Sequence, residues 1–331
     1  MKFLIIGAGR MGIRHALGIK NLNEATAITI TDINRDALEN AKKSIDDSRF
    51  DYKLIKEIKN ETFDFCVIAA TAAGRKELLQ VANRVKAKHI LIEKPLGQSM
   101  QQVLEMNHYI SEHNLNCYVN LNMRLYESFI TLRDDLLSIP QLKGSKTITV
   151  NTGTLGIGAN GIHYLDLLYF ILDANNAELT AAEIDDALIP SGRGAAFGDF
   201  GGWAVIKFYK EKKFQGKALL SMASDSTVFG SWEIVAPNGR VYFNEVEGKR
   251  IDTLRKEDSQ LPVNRYFGDY LPPVESIITS PFLGDLTTVW IKGILEGKSL
   301  LPKIEESIKV HELLFQWLAK SNNYKENFPI T

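Results

Sequence analysis

The stretch FLIIGAGRMG, Phe3 to Gly12, decides the fold. Phe3 to Ile6 reads as a short buried strand. It stops at Gly7, Gly9 and Gly12, spaced G-x-G-x-x-G, and Arg10 to Lys20 then has helical periodicity. In a strand-turn-helix each glycine has its own task. The first permits a tight turn, the second lets the backbone approach a pyrophosphate, and the third lets the helix pack close to the strand. The positive end of the helix then faces the phosphates. Glycine spacing alone is a weak signal, but strand, helix and a downstream acid accompany it here. Arg10 and Met11, inside the loop, join the glycines as candidate cofactor residues.

That acid is Asp32, twenty residues past Gly12, where a second strand, Ala27 to Thr31, ends. A carboxylate at this point accepts hydrogen bonds from the adenosine ribose hydroxyls and disfavours a 2′-phosphate. The plainer alternative is a solvated strand-end or capping aspartate. Arg35 offers a guanidinium that suits a 2′-phosphate. Asp32 weighs more, so NAD is favoured over NADP.

The pattern continues outward. Strands are expected at Tyr52 to Ile55, Phe63 to Ala70, His89 to Ile92 and Cys117 to Leu121, with helices at Asp36 to Lys43, Arg75 to Val85 and Gln101 to His113. Strands separated by helices imply parallel pairing through right-handed crossovers, with a ligand crevice at the carboxyl ends of the strands. Thr71, just past the fourth strand, falls near that crevice.

Beyond Asn122 the pattern changes. Lys146 to Val150 alternates, Gly161 to Leu172 is one apolar helix, and Leu179 to Ile189, Trp203 to Tyr209, Phe214 to Ala223, Ser231 to Val235 and Arg240 to Asn244 read as strands. Helices close the chain at Leu283 to Glu296 and Ile304 to Lys320. The fold class is therefore α/β. A Rossmann domain, a doubly wound parallel sheet, covers 1–121. An α+β domain with an open, mostly antiparallel sheet covers 122–331 and serves substrate binding and oligomerisation.

Bulk properties agree with two globular domains, since 331 residues are long for one core. A net charge of -1 gives no basic field for nucleic acid. No apolar run approaches the roughly 20 residues that span a bilayer, so no membrane partner is expected. The N-terminus runs straight into the glycine loop and is read without a secretory leader. Cys66 and Cys117 lack metal-ligand spacing, so no metal is expected and the setting is read as reducing and cytoplasmic.

Glu93-Lys94-Pro95, ending the fifth strand, resembles the E-K-P signature of the Gfo/Idh/MocA oxidoreductases. Asn120 to Phe129 resembles the family's N-x-R stretch, Gly161-Ile-His163-Tyr-Leu-Asp166 its G-x-H-x-x-D helix start, and Ser231 to Arg240 its strand-turn-strand. The resemblance implies hydride transfer between NAD(P) and a hydroxyl or carbonyl carbon of a sugar, nucleotide sugar or polyol. It places Glu93 and Lys94 at the cofactor and makes Lys94–Pro95 a candidate cis bond. Lys94 and His163 become the candidate catalytic pair. Asn122, Arg124, Asn160, His163 and Asp166 become candidate substrate residues. Each has a structural alternative: an exposed strand-end lysine, a packed histidine, a surface arginine, and an aspartate that orients His163 or only accepts hydrogen bonds. Asn160 is the expected cap of the His163 helix.

Two features depart from the family pattern. Ala159 stands where many members carry an aspartate, and Ala70 to Lys76 lacks the proline and histidine that often follow the fourth strand. These departures support other classes, namely a non-catalytic dinucleotide-binding regulator or assembly protein, or a redox-neutral NAD-dependent sugar enzyme. Trp203, Trp232, Tyr164 and Tyr266 suit stacking on sugar rings, although such aromatics more often serve cores or interfaces. The second sheet's exposed face is the expected homo-oligomer surface.

Overall fold

The computed structural model describes residues 1–59, 61–190, 198–228, 230–257, 269–322 and 324. The first 125 residues contain strands β1 (Lys2–Ile6), β2 (Ala27–Asp32), β3 (Phe50–Leu54), β4 (Phe65–Ile68), β5 (His89–Ile92) and β6 (Cys117–Val119). Helices α1 (Arg10–Lys20), α2 (Arg35–Ser44), α3 (Arg75–Arg84) and α4 (Met100–Glu112) alternate with them. All six strands pair in parallel in the order β3-β2-β1-β4-β5-β6. This is the doubly wound order expected from the sequence. Its reversal between β1 and β4 opens the crevice at their carboxyl ends. Phe3 to Ile6 and Phe65 to Ile68 are almost wholly buried, as strands covered on both faces must be.

The chain then forms α5 (Glu127–Ser138), β7 (Lys146–Asn151), α6 (Ile162–Ile171), β8 (Asn176–Pro190), β9 (Gly198–Lys210), β10 (Lys213–Met222), β11 (Ser231–Ala236), β12 (Gly239–Asn244), β13 (Lys249–Leu254) and β14 (Val274–Ile277). These strands make an eight-stranded sheet, β14-β13-β12-β11-β7-β10-β9-β8, in which only β7 and β10 pair in parallel. One face is apolar, and α6, buried at every residue, belongs to its core. Phe129 lies 5.6 Å from Trp232 and 5.1 Å from Phe243, and Tyr164 lies 5.7 Å from Trp232. Trp232 and Tyr164 are thus core aromatics. Trp203 is on the outer side, 36% exposed, and Tyr266 lies outside the described residues.

Three sequence expectations change. The helix α5 went unread, although Phe129, Leu132 and Leu136 are its buried side at helical spacing. The strands β13 and β14 also went unread. The largest change concerns domain extent. The chain divides into one compact unit of Met1–Leu125 plus Pro281–His311 and another of Tyr126–Ser280 plus Glu312–Thr331. A second domain running unbroken over 122–331 does not match that division. The reason is α7 (Leu283–Leu295), which packs on α1. Gly18 and Gly284 let the two backbones approach so closely that a Cβ at Gly18 would overlap the Gly284 carbonyl. Thr288 Oγ1 donates to Gly18 O at 2.7 Å, and Trp290 meets Phe65 edge-on at 5.6 Å. The last helix, α8 (Ile304–Leu318), begins in the first unit. Among the described residues no helix is long and apolar enough to cross a membrane.

Candidate active site

The phosphate loop is built by exclusion. Gly7 has φ +109°, a left-handed conformation that L side chains rarely adopt, and a Cβ there would lie 3.0 Å from the Ala69 carbonyl carbon. A Cβ at Gly12 would overlap the Gly7 carbonyl oxygen. Gly9 differs, because nothing lies within 4 Å of where its Cβ would be. Gly9 is also the N-cap of α1, with no side-chain cap and no acid in the first turn. An open space above uncapped helix N–H groups fits a diphosphate. Arg10 is exposed and Met11 half-buried at its rim.

Asp32 closes the loop from the β2 side. Its Oδ2 accepts from Ala8 N at 2.7 Å and its Oδ1 from Asn34 N at 2.9 Å. The carboxylate is therefore held in place with lone pairs left for ribose hydroxyls. Arg35 is mostly exposed and pairs with Glu57 at 3.6 Å. Ile33, which the sequence reading passed over, is 83% exposed beside Asp32.

At the other side of the crevice Thr71 is exposed and Lys94 half-buried. The Lys94–Pro95 bond is cis. Glu93 was expected at the cofactor, but its carboxylate is turned into the protein. Oε1 pairs with His15 Nε2 at 2.9 Å and accepts from Asn120 Nδ2 at 2.6 Å, while His15 Nδ1 meets Thr287 Oγ1 at 2.8 Å. Burial pushes the Glu93 carboxyl up, but the His15 hydrogen bond and charge, the Lys94 charge and the Asn120 hydrogen bond outweigh it and bring it down to about 2. Glu93 thus joins α1, β5, the end of β6 and α7. Asn122 and Arg124 are both buried, and Arg124 Nη1 pairs with Glu306 Oε2 at 3.2 Å.

Two further residues of this unit were missed. Arg75, only 1% exposed, donates to the carbonyls of Glu93 and Pro95 through Nη1 and to that of Ala70 at 2.8 Å through Nη2. His311, fully buried, accepts the Leu96 N–H at Nε2 (2.9 Å) and meets Ser307 O at 2.7 Å through Nδ1. Burial pushes the imidazole down to about 4, against the Ser307 hydrogen bond and with the help of the Arg75 charge. The ring is neutral, with its proton on Nδ1.

In the second unit His163 and Asp166 lie three residues apart on α6, 8% and 1% exposed. The expected cap is corrected. Gly161 occupies the cap position without a side-chain bond, and a π-helical turn, Ile157–Gly161, precedes the helix. Asn160 sits inside that turn and donates to Leu155 O at 2.6 Å. The capping acceptor comes from β9 instead. Asp199, 3% exposed, accepts from Gly158 N at 2.8 Å and Ala159 N at 2.6 Å. A carboxylate forty residues on thus binds the Ala159 amide. Close by Tyr164, Glu245 accepts from Trp232 Nε1 (2.9 Å) and Tyr164 OH (3.4 Å). Burial pushes its carboxyl up to about 7, with the two hydrogen bonds opposing.

Residues 1–121 match the model of the Gfo/Idh/MocA oxidoreductase family, an NAD-binding Rossmann fold. The N-terminal domain belongs to this family. The open loop over Gly9 and the anchored Asp32 both lie within the residues that match this NAD-binding family. A myo-inositol 2-dehydrogenase of Thermotoga maritima is 26% identical over 135 residues, 40% of each chain. A glucose-6-phosphate 3-dehydrogenase of Bacillus subtilis is 22% identical over 197 residues, 53% of this chain and 54% of the relative. The chain thus matches about half the length, or less, of these curated relatives. An oxidoreductase from Agrobacterium radiobacter, solved with NAD+, L-tartaric acid and magnesium, superposes with TM-score 0.69 at 15% identity over 98% of this chain and 96% of its own. That likeness shows a fold shared over nearly the whole chain.

Proposed function

We propose that the protein is an NAD-dependent dehydrogenase acting on a CH–OH group of a sugar, nucleotide sugar or polyol. The observation that carries this reading is the pairing, around one crevice, of an open phosphate loop with Lys94 on a rigidly held turn. Gly7, Gly9, Arg10, Met11 and Gly12 hold the diphosphate, Asp32 the ribose hydroxyls, and Thr71 and Lys94 border the nicotinamide. When bound, that ring supplies the hydride acceptor or donor. Lys94 Nζ holds the substrate oxygen and stabilises its developing negative charge. A ring nitrogen of His163 takes the hydroxyl proton, with Asp166 orienting the imidazole. Asn122, Arg124 and Asn160 bind the remaining polar groups of the substrate. Arg35, engaged with Glu57, yields cofactor choice to Asp32, which favours NAD over NADP.

The protein associates with itself through the outer side of the second sheet, where Trp203, Leu219 and Val235 are 36%, 38% and 45% exposed. Two buried free thiols, Cys66 and Cys117, support a reducing, cytoplasmic setting. Position 159 favours one other reading, a dinucleotide sensor without turnover, because alanine stands there where many members of the resembled family carry an aspartate.

The test is absorbance at 340 nm with NAD+ and a panel including myo-inositol, glucose 6-phosphate and UDP-N-acetylglucosamine. Turnover of one compound is expected, with Lys94→Ala lowering kcat by about two orders of magnitude or more and leaving the NADH dissociation constant nearly unchanged. Tight NADH binding with no turnover across the panel would favour the sensor.

A further inference from the structure

Lys94 lies in a segment whose backbone polar groups are gathered by side chains distant in sequence. Three consecutive carbonyls, of Glu93, Lys94 and Pro95, turn toward the Arg75 guanidinium; the Lys94 contact, at 3.5 Å, is the longest. The same guanidinium holds the Ala70 carbonyl at 2.8 Å, next to Thr71. On the far side of the cis bond His311 takes the Leu96 N–H. A buried carbonyl needs a donor, because one left without keeps the full cost of its desolvation. A planar guanidinium carries five N–H groups in a fixed fork and serves several carbonyls at once, which a lysine ammonium on a flexible stem does not. Arg75 therefore ties the exit of β4, beside the cofactor, to the exit of β5, which carries Lys94.

We propose that Arg75 is the positioning residue for Lys94, holding the carbonyls on either side of it so that its ammonium meets the reacting oxygen in one place. The inference rests on the reading of Lys94 as the group that holds the substrate oxygen. Loss of the clamp frees the turn, and a misplacement of about 1 Å at a reacting group lowers turnover on the order of a hundredfold. The diphosphate site, built on the α1 loop, does not use Arg75.

The test uses the full chain with NADH bound. Lysines are reductively 13C-methylated, and the Lys94 resonance is assigned with Lys94→Arg. Arg75→Met keeps the stem and removes the donors, and Arg75→Lys restores part of them. In Arg75→Met the Lys94 resonance should shift and broaden, kcat should fall about ten- to a hundredfold with KM changing less than threefold, and the NADH dissociation constant should stay within threefold. Arg75→Lys should fall between Arg75→Met and the wild type in both resonance and kcat. An unmoved Lys94 resonance in Arg75→Met overturns the proposal. So does a loss of NADH affinity in step with the unfolding midpoint in both variants, which marks Arg75 as a staple of the fold alone. If Arg75→Met does not fold, Arg75→Lys decides by the same resonance. Absence of wild-type turnover on the sugar panel overturns the dehydrogenase reading, and the resonance still decides whether Arg75 places Lys94.

Discussion

Substituting alanine at two of the loop glycines should separate folding from cofactor binding. A Cβ at Gly12 would overlap the Gly7 carbonyl oxygen and lie 3.0 Å from its carbon, both backbone atoms that cannot rotate away. Overpacking of this kind costs about 1–3 kcal/mol, and the gain in helix propensity for an interior Gly→Ala offsets about 1 kcal/mol of it. Gly12→Ala should therefore lower the unfolding midpoint, at about 2–4 °C per kcal/mol for a domain of this size, and distort the loop as well. Gly9→Ala should behave in the opposite way. Gly9 has φ -75°, which alanine adopts freely, and nothing lies within 4 Å of the added methyl. The loss of an N-cap glycine, about 0.5–1 kcal/mol, is balanced by a similar gain from the stiffer unfolded chain. The midpoint should then move by less than about 2 °C. The methyl instead occupies the space for the diphosphate and removes at least one charge-assisted hydrogen bond, about 1.5–3 kcal/mol. The NADH dissociation constant should rise about ten- to a hundredfold, read from the fluorescence of bound NADH beside a thermal melt of the free protein. A Gly9→Ala variant that binds NADH like the wild type would refute the placement of the diphosphate over Gly9.

Three further outcomes follow from single residues. Asp32→Ser should narrow or reverse the preference of the wild type for NADH over NADPH in parallel titrations, and tighter NADPH binding by the wild type would transfer the selecting role to Arg35. His163→Gln should nearly abolish turnover while leaving NADH affinity intact, because an amide hydrogen-bonds but does not titrate; retained activity would reduce His163 to a positioning role. Glu245 has a carboxyl raised from an unfolded value of about 4.3 to about 7 in the fold, so the folded state binds the extra proton between those values. Its contribution is fully present below the unfolded value and is lost as pH rises to about 7. Glu245→Gln should accordingly flatten the fall in stability between pH 5 and pH 8 seen in urea titrations of the wild type, and an unchanged slope would assign that fall to other groups.

Much of the first unit was legible because its signals are local. A buried strand, three spaced glycines, a helix and a strand-end aspartate lie within Phe3 to Asp32, and each states a backbone requirement in its own residue type. E-K-P was legible as a motif, but the use of Glu93 was not. A glutamate beside a candidate catalytic lysine looks like a cofactor contact until His15 and Asn120 converge on it. Arg75 had a signal of a kind, since it falls where the family's usual loop residues are missing. The sequence places it only as the first residue of a helix, and nothing local to that position states which carbonyls its guanidinium meets.

The amino-acid sequence alone determined the parallel sheet, its phosphate loop, its acid at β2 and the antiparallel character of the second sheet, because strand and helix periods and glycine requirements are written residue by residue. Only the tertiary structure decided which distant groups complete them. Asp199 caps the turn before His163 in place of Asn160, α7 returns to pack on α1 through paired glycines, and Arg75 and His311 gather the backbone around Lys94. Each of these satisfies a buried polar group or a close backbone approach with a partner forty to over two hundred residues away in most cases, such as His311 for Leu96. The choice among such partners depends on which donors and surfaces the packed chain brings together, and no local pattern encodes it.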